Sequence, residues 1–532
     1  MVIFIPAWYK NKEWCENEQN WHERKMHSEF DDSVKQIQLF HRNSAFEYSI
    51  CLLGYSPNLR HFLHRQGVYM APYFSVFDAI NECEGVRAGV FSYKDLNWLP
   101  NTEFLYTPFV TLALFQGRKY AQMEFGEDGN LIQIDMYEGD NVAIRNIYDD
   151  RGFVSSAIMY SENVPVYQDY YTMKGTWKIR VFFEDNHVEI NKERPFYMLG
   201  EGDNRREVAF SKLEYESLED VVKEVFNAYI DTLSDDDIFC IAMDNLHSKL
   251  VTNSLKGKKT ILSFFEKRYS YEDKYTKELL HNANRIVTDS KLRANELRNR
   301  YPDESDKVIN ITPYDTRREV GISQQLTVQK ILVAVDNLSP DVFEKMVIVF
   351  ANYFEENDKA RVHFFTREAD YNLPKKLIHD TANILERAGY DSRLALNTEG
   401  DSVAENSIDA LDSDNVTTKF FVEQCVDELT ASKCIREQRL IINLSDSANL
   451  YLQISGVSFG IPQIVTEESQ YVKHGLNGQV VRHVEDLEKV LTFYLNGLKN
   501  WNNAQVYAYD IGEDYTTSRL VAKWKEVVGE IE

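Results

Sequence analysis

Glycine-rich phosphate cradles, paired cysteines and long apolar runs are all missing from this chain, and each absence removes a class of function. The loop after the first strand-like segment reads Trp8-Tyr9-Lys10-Asn11, without a glycine to let a backbone approach a phosphate closely. No Walker loop occurs, so the chain carries no ATP-driven motor of its own. The six cysteines, Cys15, Cys51, Cys83, Cys240, Cys425 and Cys434, form no Cys-x-x-Cys pair, which reads as buried reduced thiols rather than a disulfide frame or a zinc site. No segment approaches the ~18 apolar residues that span a bilayer, and MVIFIPAWYK is too short and too poor in basic residues for a signal segment, so a cytoplasmic location is expected. Acidic residues outnumber basic ones, 84 Asp and Glu against 59 Lys and Arg. The formal net charge of -25 argues against nucleic acid as a partner and favours basic or neutral ones. With 43% hydrophobic residues, 23 Gly and 12 Pro in 532 residues, the chain is a folded protein of two or three domains.

What is present is an α/β rhythm interrupted once. Strands at Val2 to Pro6 and Tyr48 to Leu53, with helices at Asp32 to His41 and Asn58 to Gln66, open a first Rossmann-like unit, which resumes after about Arg206. Between them, runs such as KYAQMEF, LIQIDMY, NVAIRNIY and VPVYQDYY alternate with GEDGN, EGDN and DDRG, the pattern of an antiparallel meander. A second α/β unit follows, with a strand at Ile331 to Val335, a strand at Arg393 to Leu396 and a helix at Thr418 to Glu437. The expected organisation is residues 1–98 with 205–325, an inserted β-sheet domain at 99–204, a second Rossmann-like domain at 326–512, and a helix at 513–532 crossing back to the first half.

The segment from Leu440 to Gly478 has the layout of a nucleotide-sugar site. An apolar strand leads to a helix, and Gly460-Ile461-Pro462 turns into a second strand at Gln463 to Thr466. In sugar transferases with two Rossmann-like halves, two glutamates eight residues apart hold the ribose and the sugar here; this chain has Ser447 and Ser455. Those enzymes also place an arginine and a lysine after the first strand of the second half. Asp336 and Asp341 stand there instead, and two carboxylates would repel a diphosphate. The donor site therefore reads as degenerate, without catalytic, cofactor-binding or metal-binding residues.

Other motifs fail on geometry. Gly456-Val457-Ser458-Phe459-Gly460 matches the nucleophile elbow, but a helix precedes it and a strand follows, the reverse of what the elbow needs. His22 and His27 are five apart, on different helix faces; His61 and His64 share a face but sit beside Arg60 and Arg65 in a solvated cationic patch. Asp412-Ser413-Asp414 resembles a DxD signature, which belongs to transferases with a single nucleotide-binding domain, so an acidic loop is expected.

Two surfaces could bind partners. Lys249, Lys256, Lys258, Lys259, Lys267, Arg268, Lys274 and Lys277 interleave with Phe264, Phe265, Tyr269 and Tyr271. That mixture suits anionic membrane lipid or an acidic protein, and equally a plain solvated edge, the preferred reading. In the meander, Tyr160, Tyr167, Tyr170, Tyr171 and Trp177 could stack on sugars or hold an extended chain, or could be core.

The blocks Phe4-Ile5-Pro6-Ala7-Trp8, Phe30-Asp31-Asp32-Ser33-Val34-Lys35-Gln36-Ile37, Tyr55-Ser56-Pro57-Asn58-Leu59-Arg60-His61-Phe62-Leu63 and Tyr148-Asp149-Asp150-Arg151-Gly152-Phe153 give the chain, over essentially its full length, a resemblance to the first accessory secretory protein family of the Gram-positive accessory Sec system. The last block is similar to one in the added β-domain of transferases that glycosylate serine-rich repeat adhesins. The resemblance implies a GT-B-like fold without transferase activity, and a complex with the second and third accessory secretory proteins. It further implies action with the accessory SecA motor and SecY channel in export of a glycosylated serine-rich repeat adhesin, whose chain the β-domain would bind. The competing reading is an active GT-B transferase that modifies serine-rich repeats from a nucleotide sugar.

Overall fold

The computed structural model describes residues 1–9, 30–43, 46–89, 91–200, 202–317, 319, 321–396, 418–445, 447 and 449–531. The His22/His27 pair, Cys15 and the Asp412-Ser413-Asp414 stretch lie outside them.

Two parallel sheets frame the molecule. The first has seven strands in the spatial order Val308–Asn310, Arg285–Thr288, Lys259–Phe264, Ile238–Ala242, Val2–Ile5, Tyr48–Leu52 and Tyr73–Ser75. Its central strands read as unbroken apolar runs because helices cover both faces, and all four residues of Val2–Ile5 are buried. The second has six strands in the order Phe420–Gln424, Ala360–Thr366, Gln329–Ala334, Leu440–Asn443, Gln463–Val465 and Gly478–Val480. The chain has a GT-B-like α/β architecture.

A ten-stranded antiparallel sheet interrupts the first unit, running in space from Glu214–Tyr215 and Val188–Ile190 through Trp177–Phe182, Val164–Tyr171, Val154–Ser161, Asn141–Tyr148, Leu131–Glu138, Arg118–Phe125 and Thr111–Phe115 to Glu103–Tyr106. At one end Tyr170, Ile179, Val188 and Ile190 share a core with Phe77, Ile80 and Val222 of the first unit; at the other, Ala113, Met123 and Ile134 build a separate core.

Buried charge bolts the sheet to that unit. Arg151 donates to Asp78 (2.7 and 2.9 Å), to Asp149 (2.6 and 2.7 Å) and to the Cys83 carbonyl (2.9 Å). Arg60 Nε donates to Asp150 at 2.5 Å, and its Nη1 donates to Asp78 at 3.3 Å. Gly152, at φ +87°, makes the turn that carries Asp149, Asp150 and Arg151 inward. The Tyr55-to-Leu63 and Tyr148-to-Phe153 blocks thus interlock.

Two expected elements of the second unit differ. Arg393 to Leu396 is no strand; a 3-10 turn occupies Ser392–Leu394, and the edge strand beside Ala360–Thr366 is Phe420–Gln424. The expected single helix from Thr418 accordingly divides. Its first residues, rich in aromatic and β-branched side chains, pair with the sheet, and Asp427 caps the helix Glu428–Arg436 by accepting from the Thr430 amide. The final helix, Thr517–Gly529, packs Leu520, Trp524 and Val527 against the first unit, with Trp524 edge-on to Phe40 at 5.5 Å.

Candidate functional site: the cleft between the halves

The C-terminal ends of strands from both parallel sheets meet in one buried cluster, with Phe265 just past Lys259–Phe264, Ala334 ending Gln329–Ala334 and Val465 ending Gln463–Val465, at the cleft where an open α/β sheet binds its ligand. Here side chains from both halves occupy that space. Asp31 caps the helix Asp32–His41 by accepting from the Ser33 and Val34 amides (2.9 and 3.2 Å), which delivers Phe30 to the cleft. Phe30 meets Tyr451 edge-on at 4.6 Å, and Tyr451 meets Tyr314 at 5.6 Å. The Tyr314 hydroxyl donates to the Phe30 carbonyl at 2.5 Å, and the Arg367 guanidinium lies 4.9 Å from the centre of the Phe30 ring. These aromatics belong to a buried cluster that also contains Phe265 from the first half and Leu332, Leu452 and Tyr471 from the second. Beside it, buried Lys35 reaches across the halves to Glu428 at 2.6 Å.

Ion pairs within the first half hold the same segment in place. Arg268 donates to Asp31 and Asp32, each at 2.7 Å. Burial pushes the Asp32 carboxyl up to about 6 against the opposing pull of Arg268.

On the second-half side, Asp336 serves the backbone. Its carboxylate accepts from the Thr366 hydroxyl (2.5 Å) and the Arg367 amide (2.9 Å), fastening two adjacent strand ends. Asp341 occupies the first turn of the helix Pro340–Glu356, capped by Ser339, and pairs with Lys345 at 2.9 Å. A carboxylate at that helix N-terminus uses the positive end of the dipole that a phosphate would otherwise meet. Ser447 offers its carbonyl to the Ser445 hydroxyl at 2.8 Å, and Ser455 is buried on the helix Leu450–Phe459, one turn on from Tyr451. Ser458 and Gly460 end the helix Leu450–Phe459, where Gly460 caps at φ +68° ahead of the strand Gln463–Val465, so no nucleophile elbow forms.

The aromatic candidates of the meander separate. Tyr170 is fully buried against Tyr55 and Phe77, so it cannot receive a ligand: its face of the strand is the one that packs on the first unit. Tyr167, Tyr171 and Trp177 share the opposite face, gathered around Arg180. That guanidinium lies 4.0 Å from the Tyr167 ring centre and 5.2 Å from Trp177, and Asp169 accepts from it at 2.7 and 2.9 Å. Tyr160 stands on the other face, 5.8 Å from Arg145, which is paired with Asp135.

The basic cluster also divides. Lys256, Lys258 and Lys259 precede or open the strand Lys259–Phe264, while Lys267 and Arg268 follow it, so they lie at opposite ends of the sheet. Lys258 and Lys259 pair with Asp235 and Asp236 (2.7 and 3.0 Å), Lys249 with Glu219 and Lys277 with Glu272. Phe264 and Phe265 are core, because their strand is covered on both sides, so neither ring is available to a lipid surface. His61 and Arg65 meet Asp128 and tie the first unit to the meander. Among the described residues, no helix is long and apolar enough to cross a membrane, and no group of three or more His, Cys, Asp or Glu residues is placed to hold a metal ion.

Two Rossmann-like sheets facing one cleft, with an antiparallel sheet inserted in the first, define a GT-B glycosyltransferase-like protein. The pneumococcal O-GlcNAc transferase GtfA, in complex with UDP and GlcNAc, shares this fold with a TM-score of 0.69 at 12% identity, covering 100% of this chain and 99% of its own. The family is more specific: the model of the accessory Sec system protein known as accessory secretory protein 1 matches residues 1–531, and the chain belongs to that family. The accessory Sec system protein 1 of Streptococcus gordonii is 32% identical over 99% of this chain and 98% of its own length. The structure of accessory secretory proteins 1, 2 and 3 of Streptococcus pneumoniae superposes with a TM-score of 0.79 at 27% identity, covering 100% of this chain and 99% of the matched one. This is therefore a protein of the accessory Sec export system built on a transferase fold.

Proposed function

We propose that this protein is a non-catalytic component of accessory Sec export, which binds a glycosylated serine-rich repeat adhesin in the cytoplasm and brings it to the accessory SecA/SecY translocase. In this reading it works in a complex with the second and third accessory secretory proteins, as the pneumococcal relative assembles with its own. The observation that carries the loss of catalysis is the occupied cleft, where Phe30, Tyr314 and Tyr451 fill the space at the strand ends and Asp336 and Asp341 stand where a diphosphate would need cations. The adhesin would meet the face bearing Tyr167, Tyr171, Trp177 and Arg180, which offers flat rings for sugar or peptide and a guanidinium between them. Titration calorimetry with UDP-GlcNAc tests the non-catalytic reading. No saturable heat below about 1 mM is expected, whereas a submillimolar Kd favours a retained transferase.

A further inference from the structure

A cavity of about 550 Å³ opens on the flank of the cleft between the helices Asp32–His41, Glu428–Arg436, Leu450–Phe459 and Thr517–Gly529. Its floor is apolar, made by Tyr451, Ile454, Phe459 and Leu520, all buried. At its lip Leu429 leaves 65% of its surface exposed, unusual for the second residue of a helix that has an apolar face to pack. The rim has the opposite charge from the rest of the molecule. Arg42, Arg317, Lys433 and Arg436 line it, and none of them forms an ion pair among the described residues. Of the lining carboxylates, Glu428 is held by Lys35 at 2.6 Å and Asp315 accepts from Thr517 at 2.6 Å; the third, Glu319, lies where the groove runs on into a recess with Ile322 and Gln325. Ser432, Ser455 and Ser458 add hydroxyls along the walls.

We infer that this groove docks an acidic segment of a protein partner that carries an apolar anchor. The groove lining sets Lys35, Arg42, Arg317, Lys433 and Arg436 against Asp315, Glu319 and Glu428, a net positive face on a chain of net charge -25 that attracts an acidic segment and repels a basic one. The apolar floor and Leu429 give the anchor a dry seat that a small anion would not use. The groove takes walls from both halves and from the crossing helix, so a docked segment also fixes the halves against each other. The inference rests on the proposed assembly with partner proteins and names the surface for it.

The test uses the full chain co-expressed with the second and third accessory secretory proteins. A photo-reactive residue replaces Leu429, cross-linked peptides are mapped, and partner recovery is compared for wild type, Leu429→Asp and the triple variant Arg42→Glu, Lys433→Glu, Arg436→Glu. The expected result is a cross-link to an acidic stretch of a partner, with recovery about tenfold lower in both variants and wild-type recovery itself falling as salt screens the contact. Unchanged recovery in both variants, or cross-links confined to neutral or basic stretches or to lipid, overturns the inference while leaving the complex intact. Failure of the wild type to assemble with either partner instead overturns the proposed complex. If the triple variant does not fold, the exposed Leu429 position decides alone.

Discussion

Replacing Arg151 by methionine removes the centre of the bolt between the antiparallel sheet and the first Rossmann-like unit. Arg151 supplies the short contacts to Asp78 and Asp149, whereas Arg60 reaches both only at 3.3 Å or more. The variant leaves three buried carboxylates facing one guanidinium. Breaking a buried pair in this way costs about 3–5 kcal/mol, chiefly because the remaining charge has lost its partner. At ~2–4 °C per kcal/mol for a unit of a few hundred residues, the melting temperature should fall on the order of 10 °C. Scanning calorimetry measures the fall, and limited proteolysis locates it, with early cleavage in the sheet from Glu103 to Tyr215. Burial alone would push the Asp78 carboxyl up, but Arg151 and Arg60 outweigh it and hold it below its ordinary value. Its stabilisation is therefore present above pH ~4 and lost as pH falls below, so the deficit of the variant should narrow in acid. The double variant Asp78→Asn, Arg151→Met removes the orphaned charge and should recover roughly 0.5–3 kcal/mol. A melting temperature within about 1 °C of wild type for Arg151→Met, or simple additivity in the double variant, would refute the reasoning.

Asp32→Asn tests the cleft electrostatics. The buried Asp32 carboxyl titrates near 6, above its ordinary value, so its contribution is fully present below pH ~4 and lost as pH rises through about 6. The variant should accordingly look better relative to wild type at pH 7 than at pH 4.5 in paired thermal melts. Tyr167→Ala and Trp177→Ala should each weaken binding of a glycosylated serine-rich repeat fragment by about 1–2 kcal/mol in calorimetry, whereas Tyr160→Ala, on the other face, should leave it unchanged. Substituting Lys256, Lys258 and Lys259 by Glu should leave liposome flotation unaltered, since two of the three are ion-paired and the neighbouring phenylalanines are core.

Sequence periodicity exposed the alternation of strands and helices, because apolar runs and capping residues such as Asp31 and Ser339 act locally. It did not separate Phe420–Gln424 from the helix behind it, as a short aromatic run fits either structure until a neighbouring strand claims it. Spacing from the strands singles out Asp336, Asp341, Ser447 and Ser455, and their reading as a lost donor site belongs to the proposal that calorimetry with UDP-GlcNAc tests. What fills the cleft was not: Phe30, Tyr314 and Tyr451 meet across hundreds of residues, and nothing in the local pattern of any one of them names its partners. Tyr170 shows the same limit from the other side. Alternation puts it opposite Tyr171, but only the packing of Tyr55 and Phe77 shows which face is buried.

The fate of the adhesin in a strain lacking this gene decides most directly between an export component and an enzyme. Gel mobility of cell-retained and secreted adhesin should show fully glycosylated protein trapped inside. Under-glycosylated adhesin would contradict the non-catalytic reading and return the cleft to a role in sugar transfer.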